Sequence, residues 1–249
     1  MATVSTRRRR PAAKKTSPQP VTKGQWCFRI PVRAFTLAGF REWAASDEFP
    51  EYIRAAFIGQ EIFIEMSNEE PQTHIAVKGE IGRVLLNLNR EQKLGKFYGD
   101  GLLVSNEEAS VSNNPDASFA TFESFRAGRV RLVPRPNRED CYREAEGTPD
   151  WVLEVISDSS VEQDTELLRE AYHRAGIREY WLIDARGDAI DFQILYHSKD
   201  GYESAPIRGG WQESRVFSRS FRLERQHDIL DLWEYTLHTR KISKKGKTS

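Results

Sequence analysis

The stretch PDWVLEVI at residues 149–156 constrains the fold of this chain more than any other. It is apolar enough to be a strand buried on both faces, yet it carries a carboxylate, Glu154, where an ionised group is costly unless it is paired or bound. Such a run commits the chain to a covered sheet and demands a reason for the acid. Ser159 and Glu162 have capping-box spacing, and Leu167, Leu168, Ala171, Tyr172 and Ala175 then form a helical apolar stripe ending at Gly176, a suitable left-handed terminator. EYWLIDA at 179–185 is a second nearly continuous apolar strand, and DFQILYH after Arg186-Gly187-Asp188 completes a hairpin. This order predicts an α/β chain whose mixed sheet has helices on its faces.

Upstream, TLAGFREWAA at 36–45 reads as a short helix capped by Thr36, and GQEIFIEMS at 59–67 alternates like a strand. Between 74 and 88, Ile81, Val84, Leu85 and Leu88 keep the spacing of one buried helical face, with Glu80 beside its edge. GKFYGDGLLVSN and SNNPDASFATF carry turn residues around short β-prone runs, whereas 126–148, rich in Arg, Pro and Glu, reads as a polar surface loop. No internal repeat is visible.

Charge is segregated. Residues 1–41 hold ten Lys/Arg and no acid, and 240–249 hold five more and no acid, which leaves 22 basic against 37 acidic side chains between them, a net of −15. The expected organisation is one domain at 26–239 between disordered basic tails at 1–25 and 240–249, the tails being free to touch phosphates. No run is long and apolar enough to span a membrane and no signal-peptide core is present, so the expected location is the cytoplasm. Cys27 and Cys141 match neither a zinc spacing nor a disulfide framework, and no glycine loop for phosphates is found.

Taken singly, the candidate residues allow plain readings. Glu154 could pair with an arginine; Asp116 in NNPD could be a turn residue; Asp150 could order a strand entrance; His74 could sit at a helix start. Ser157 and Ser159 lack the elbow and partners of a nucleophile, so loop and capping roles fit them. Tyr172, Tyr180 and Trp181 read as core or strand-edge residues.

The run PDWVLEVISDSS followed by DTELLREAYHRAGIREYWLIDA resembles the Uma family of restriction endonucleases within the PD-(D/E)XK nuclease superfamily, with looser similarity over roughly 36–235. The resemblance implies a restriction-endonuclease-like core and magnesium- or manganese-dependent hydrolysis of phosphodiester bonds, with DNA as the expected partner. It assigns Asp116 and Glu154 as metal ligands, brings Glu80 or Asp150 to the same site, and matches His74 to a histidine frequent in the family. One departure stands out: the superfamily places a lysine near the second acid, and this chain has none between Lys96 and Lys199. Gln163 could stand in its place without charge, and Arg169 could supply charge without acting as a base. The alternative is a catalytically degenerate nuclease fold that binds DNA or protein. A homodimer is expected for an enzyme that cuts both strands.

Overall fold

The computed structural model describes residues 28–242 apart from 51–52 and 136–137. Its centre is a six-stranded mixed sheet in the order β12-β11-β10-β9-β6-β3. β9 (Trp151–Val155) and β10 (Glu179–Asp184) are parallel, with Leu153 opposite Trp181. The residues linking them contain a π-helical turn, Gln163–Leu167, that runs into α4 (Leu168–Arg174), as a parallel crossover requires. β11 (Asp191–His197) returns antiparallel to β10, and β6 (Ala117–Thr121) pairs antiparallel with β9, Ala117 facing Leu153. β3 (Gly95–Tyr98) and β12 (Tyr202–Ser204) close the two edges. Every residue of β9 is buried, Glu154 included.

One face of this sheet carries Trp151, Leu153 and Val155, which pack on Val77, Ile81, Val84, Leu85 and Leu88 of α2 (Ala76–Gln92). Those helical residues include the four expected from sequence. A π-helical turn, Pro71–Ile75, leads into α2, and Lys93 ends it in a left-handed conformation. Against the same face lies a three-stranded sheet of β13 (Gln212–Ser214), β14 (Arg219–His227) and β15 (Trp233–Lys241), which adds Phe221, Leu223, Tyr235 and Leu237 to the core. The opposite face packs Val152 and Tyr180 on Leu168, Ala171 and Tyr172 of α4 and on Ala56, Ile58 and Val111 of the remaining sheet.

That last sheet has the order β2-β1-β5-β4-β8-β7, from β1 (Arg54–Ile58), β2 (Glu61–Glu65), β4 (Leu103–Asn106), β5 (Val111–Asn113), β7 (Val130–Arg135) and β8 (Arg138–Gly147). α1 (Leu37–Ala44) packs on it, its N-terminus capped by Thr36, whose hydroxyl accepts from Gly39 N at 3.2 Å. A short helix, α3 (Phe122–Arg126), leads from β6 towards β7.

Three expectations are corrected. The polar stretch 126–148 is no loop: it forms the β7–β8 hairpin, because its buried acid is matched by Arg41 on α1, whose guanidinium donates to both oxygens of Glu144 at 2.9 and 3.0 Å. The Ser159–Glu162 capping box is not made, since Ser159 Oγ donates instead to Glu65 Oε1 at 2.7 Å. β15 runs through Lys241, two residues past the boundary expected at 239. The N-terminal tail 1–25, Cys27 and residues 243–249 lie outside the described residues, and Cys141 is a free thiol.

Candidate metal centre

β9 and β6 bring the two principal candidate acids together. Asp116 stands one residue before β6, and the pairing of Ala117 with Leu153 sets it opposite Glu154. Glu154 Oε1 accepts from Asn113 Nδ2 at 3.0 Å and from the Tyr172 hydroxyl at 2.5 Å, and Oε2 accepts from the backbone N–H of Asp116 at 3.2 Å. Asp116 Oδ2 in turn accepts from Val155 N at 2.7 Å. Each carboxylate is thereby fixed by the strand of the other. Tyr172, expected to pack in the core, does so and also orients this acid.

A cavity of about 60 Å³ opens beside them, lined also by Arg54, Glu65, Glu69, His74, Gln163 and Asp164. The π-helical turn before α2 delivers His74, and the one before α4 delivers Gln163 and Asp164. Widened turns of this kind re-aim side chains and recur at functional sites. His74 is buried, with Nε2 3.5 Å from Asp116 Oδ2 and Nδ1 3.2 Å from Glu69 Oε2. Ligand atoms of Glu69, His74 and Asp116 all lie within 4.8 Å of one another.

One helical turn beyond His74 is Lys78. Its ammonium lies 2.6 Å from Glu69, 2.9 Å from Asp100 and 3.1 Å from Asp116 Oδ1. Arg54 pairs with Glu69 and Asp100 and stands 3.8 Å from Asp116. α2 thus brings an ammonium to Asp116 in a chain that has no lysine in the strand and helix around Glu154. Burial disfavours the Lys78 ammonium, but Asp116, Glu69 and Asp100 outweigh it and raise its pKa above the ordinary value.

The acids respond to crowding as well as burial. Burial, then the charges of Asp164 and Asp116, pushes the Glu154 carboxyl well above the usual carboxylate range. Burial raises Asp116 too, against the pull of Lys78 and His74. Asp164 is pushed up to about 8, chiefly by burial and then by Asp116 and Glu65, although Ser160 donates to it at 2.5 Å. A cation in the cavity would relieve this repulsion. The donors on offer, hard carboxylate oxygens with one imidazole, fit a divalent ion, and His74 Nδ1 is buried without a hydrogen bond of good geometry.

The other candidates are placed elsewhere. Glu80 is corrected: it faces away from the cavity, accepting from Leu237 N at 2.8 Å and from Arg83 at 2.7 and 2.8 Å. Asp150 is corrected as a ligand: it lies at the far end of β9, where Thr121 and Ser124 donate to it and Arg178 pairs with it at 2.9 Å. Arg169 donates to the Tyr202 carbonyl at 3.1 Å and is absent from the cavity wall, whereas Gln163 lines it. Glu69, Lys78 and Asp164 were not anticipated. The i,i+4 spacing of His74 and Lys78, which puts both on one helical face, was the available signal.

Among the described residues no helix is long and apolar enough to cross a membrane. No curated protein matches the chain. The fold is similar to that of a "putative nuclease belonging to DUF820" from Anabaena variabilis, known from a crystal structure at 1.96 Å, with 17% identity, a TM-score of 0.53, and coverage of 73% of this chain and 90% of that one. The family model Uma2, described as "Putative restriction endonuclease", matches residues 38–226. By that match the chain belongs to the Uma2 family.

Proposed function

We propose that the protein is a divalent-metal-dependent endonuclease that hydrolyses phosphodiester bonds of DNA, with Mg²⁺ or Mn²⁺ as its cofactor. The observation that carries this reading is the convergence of Glu69, His74 and Asp116 on one point beside Glu154. When bound, such an ion supplies Lewis-acid stabilisation of charge on a phosphate oxygen and acidifies a water.

The chain's own residues do the rest. Asp116, Glu69 and His74 would hold the ion. Glu154, held by Asn113 and Tyr172, keeps its place beside Asp116 and can carry a proton at an oxygen whose affinity for it is raised. The Lys78 ammonium, fixed among three carboxylates, places a positive charge where a scissile phosphate gathers negative charge. Gln163 can orient a water by hydrogen bonds. An acidic body is a poor DNA surface, and the basic termini supply the missing attraction by counterion release.

A second reading, a nuclease fold kept as a binding module, is favoured by one observation: Lys78 and Arg54 already neutralise part of the acid cluster without a metal. The discriminating experiment is cleavage of supercoiled plasmid with Mn²⁺ or Mg²⁺ by the full chain and by Glu154→Ala purified in parallel. Nicking by the wild type that the variant lacks supports the enzyme. Equal inactivity of folded proteins, with no metal binding at millimolar concentration, supports the module.

A further inference from the structure

At the end of β9 opposite the acidic cavity lies a second cavity, of about 450 Å³, with the reverse charge. Asp150 and Glu154 are four residues apart, so the two centres are separated by about 13 Å along the strand. The second cavity is walled by Arg129, Arg178, Arg215, His197 and Thr121, with Asp150 as its carboxylate.

That acid is committed inward. It is fully buried and accepts from Thr121 N at 2.7 Å, Thr121 Oγ1 at 2.9 Å and Ser124 Oγ at 2.9 Å, and its remaining charge is met by Arg178, itself half exposed to the cavity. The other two arginines have no carboxylate partner among the described residues. Arg129 makes one long contact, 3.5 Å, to the Gly176 carbonyl, and its Nε is buried with no acceptor. Arg215 lies over the ring of Tyr196, its guanidinium carbon 3.7 Å from the ring centre, and its side chain is exposed.

We propose that this cavity is a phosphate-binding site, separate from the acidic centre and independent of any metal held there. A guanidinium fork matches two oxygens of a phosphate group, and several forks around one cavity favour that anion over chloride or a single carboxylate. In a body with a net charge of −15, two arginines without acid partners around one hollow leave a local surplus of positive charge for an anion to occupy. Asp150 serves as the positioning residue that keeps Arg178 at the cavity wall. The same chemistry is offered by a phosphate monoester, free or at a nucleic-acid end, and by a backbone diester.

The test is titration of the full chain in EDTA with inorganic phosphate, and separately with about 12-nucleotide oligonucleotides bearing a 5′-phosphate or a 5′-hydroxyl. Wild type is compared with Arg129→Gln, Arg215→Ser and, as a control in the other cavity, Asp116→Asn. Arg215 is exposed, so its variant keeps the fold even if Arg129→Gln does not. The expected result is saturable binding that weakens at least tenfold in each arginine variant and is unchanged in Asp116→Asn. Losses confined to inorganic phosphate and the phosphorylated oligonucleotide identify a monoester; equal losses with both oligonucleotides identify the backbone diester. Inorganic phosphate binding that survives both arginine changes, or no saturable binding of any of the three probes, overturns the site. Binding that disappears with Asp116→Asn also overturns it, while leaving the nuclease reading intact.

Discussion

Asp116 and Glu154 are clamped reciprocally: the backbone N–H of Asp116 donates to Glu154 Oε2 at 3.2 Å, while Asp116 Oδ2 takes the N–H of Val155 at 2.7 Å. Two acids that repel each other are held together by the β6–β9 pairing rather than by their own charges. Cleavage should therefore be lost in Asp116→Asn and Glu154→Gln with little change in fold, because both amides can retain the backbone contacts. Circular dichroism beside plasmid nicking checks this; unfolded variants would refute it.

Lys78→Met should lower the nicking rate by roughly a hundredfold to a thousandfold, the scale of losing one charged donor to a developing oxyanion. Lys78→Arg should recover part of the rate. Glu80→Gln, at a residue facing away from the cavity, should leave the rate unchanged and lower stability by about 1 kcal/mol through its weakened grip on Leu237 N. A Lys78→Met enzyme as fast as wild type would remove the lysine from the mechanism.

The Tyr172 hydroxyl binds Glu154 at 2.5 Å and receives Asn113 Nδ2 at 2.8 Å. Tyr172→Phe deletes both contacts in a fully buried place, so a stability loss of about 1–3 kcal/mol is expected in urea unfolding. Manganese affinity measured by calorimetry should fall severalfold in the same variant, since Glu154, which holds the Asp116 N–H, loses an anchor.

The pH dependence of stability has a definite sign. Asp164 has an ordinary pKa of 3.8 and one of about 8 in the folded chain, so between those values the folded state holds more protons than the unfolded one. Stability of the metal-free protein should accordingly decline as pH rises from about 4 to about 8, most steeply around pH 6, where the unfolded carboxyl is ionised and the folded one still holds its proton. Asp164→Asn should flatten the slope. Millimolar Mn²⁺ should reverse it at pH 8 by binding the ionised cluster, which melting temperatures at pH 5 and pH 8 will show.

Asp150→Ala should destabilise the fold by about 2–4 kcal/mol, because Thr121 and Ser124 donors and the Arg178 pair lose one shared acceptor. Metal affinity should not change. A variant of normal stability with weakened metal binding would return Asp150 to the acidic centre.

Much of this was legible in the sequence. β9, the helix after it and β10 announced themselves because buried parallel strands are nearly continuous apolar runs, and α2 did so through its periodic face. Asp116 and Glu154 came from the family resemblance, since NNPD by itself reads as a turn. Glu69 escaped because it belongs to an irregular segment between β2 and the π-helical turn, where no period indicates direction. Lys78 escaped because only the tertiary approach of α2 to β6 brings it within 3.1 Å of Asp116. The β7–β8 hairpin escaped for an electrostatic reason: Glu144 reads as exposed until Arg41, over a hundred residues away, is seen to match both its oxygens.

The π-helical turn and α2 are moored to β15 at two rungs, Gln72 accepting from the N–H of Trp233 and Glu80 from that of Leu237. The small C-terminal sheet is thus a splint for the segment that carries His74 and Lys78. Removing β15 by truncation before residue 233 should cost the acidic centre its alignment before it costs the central sheet its strands.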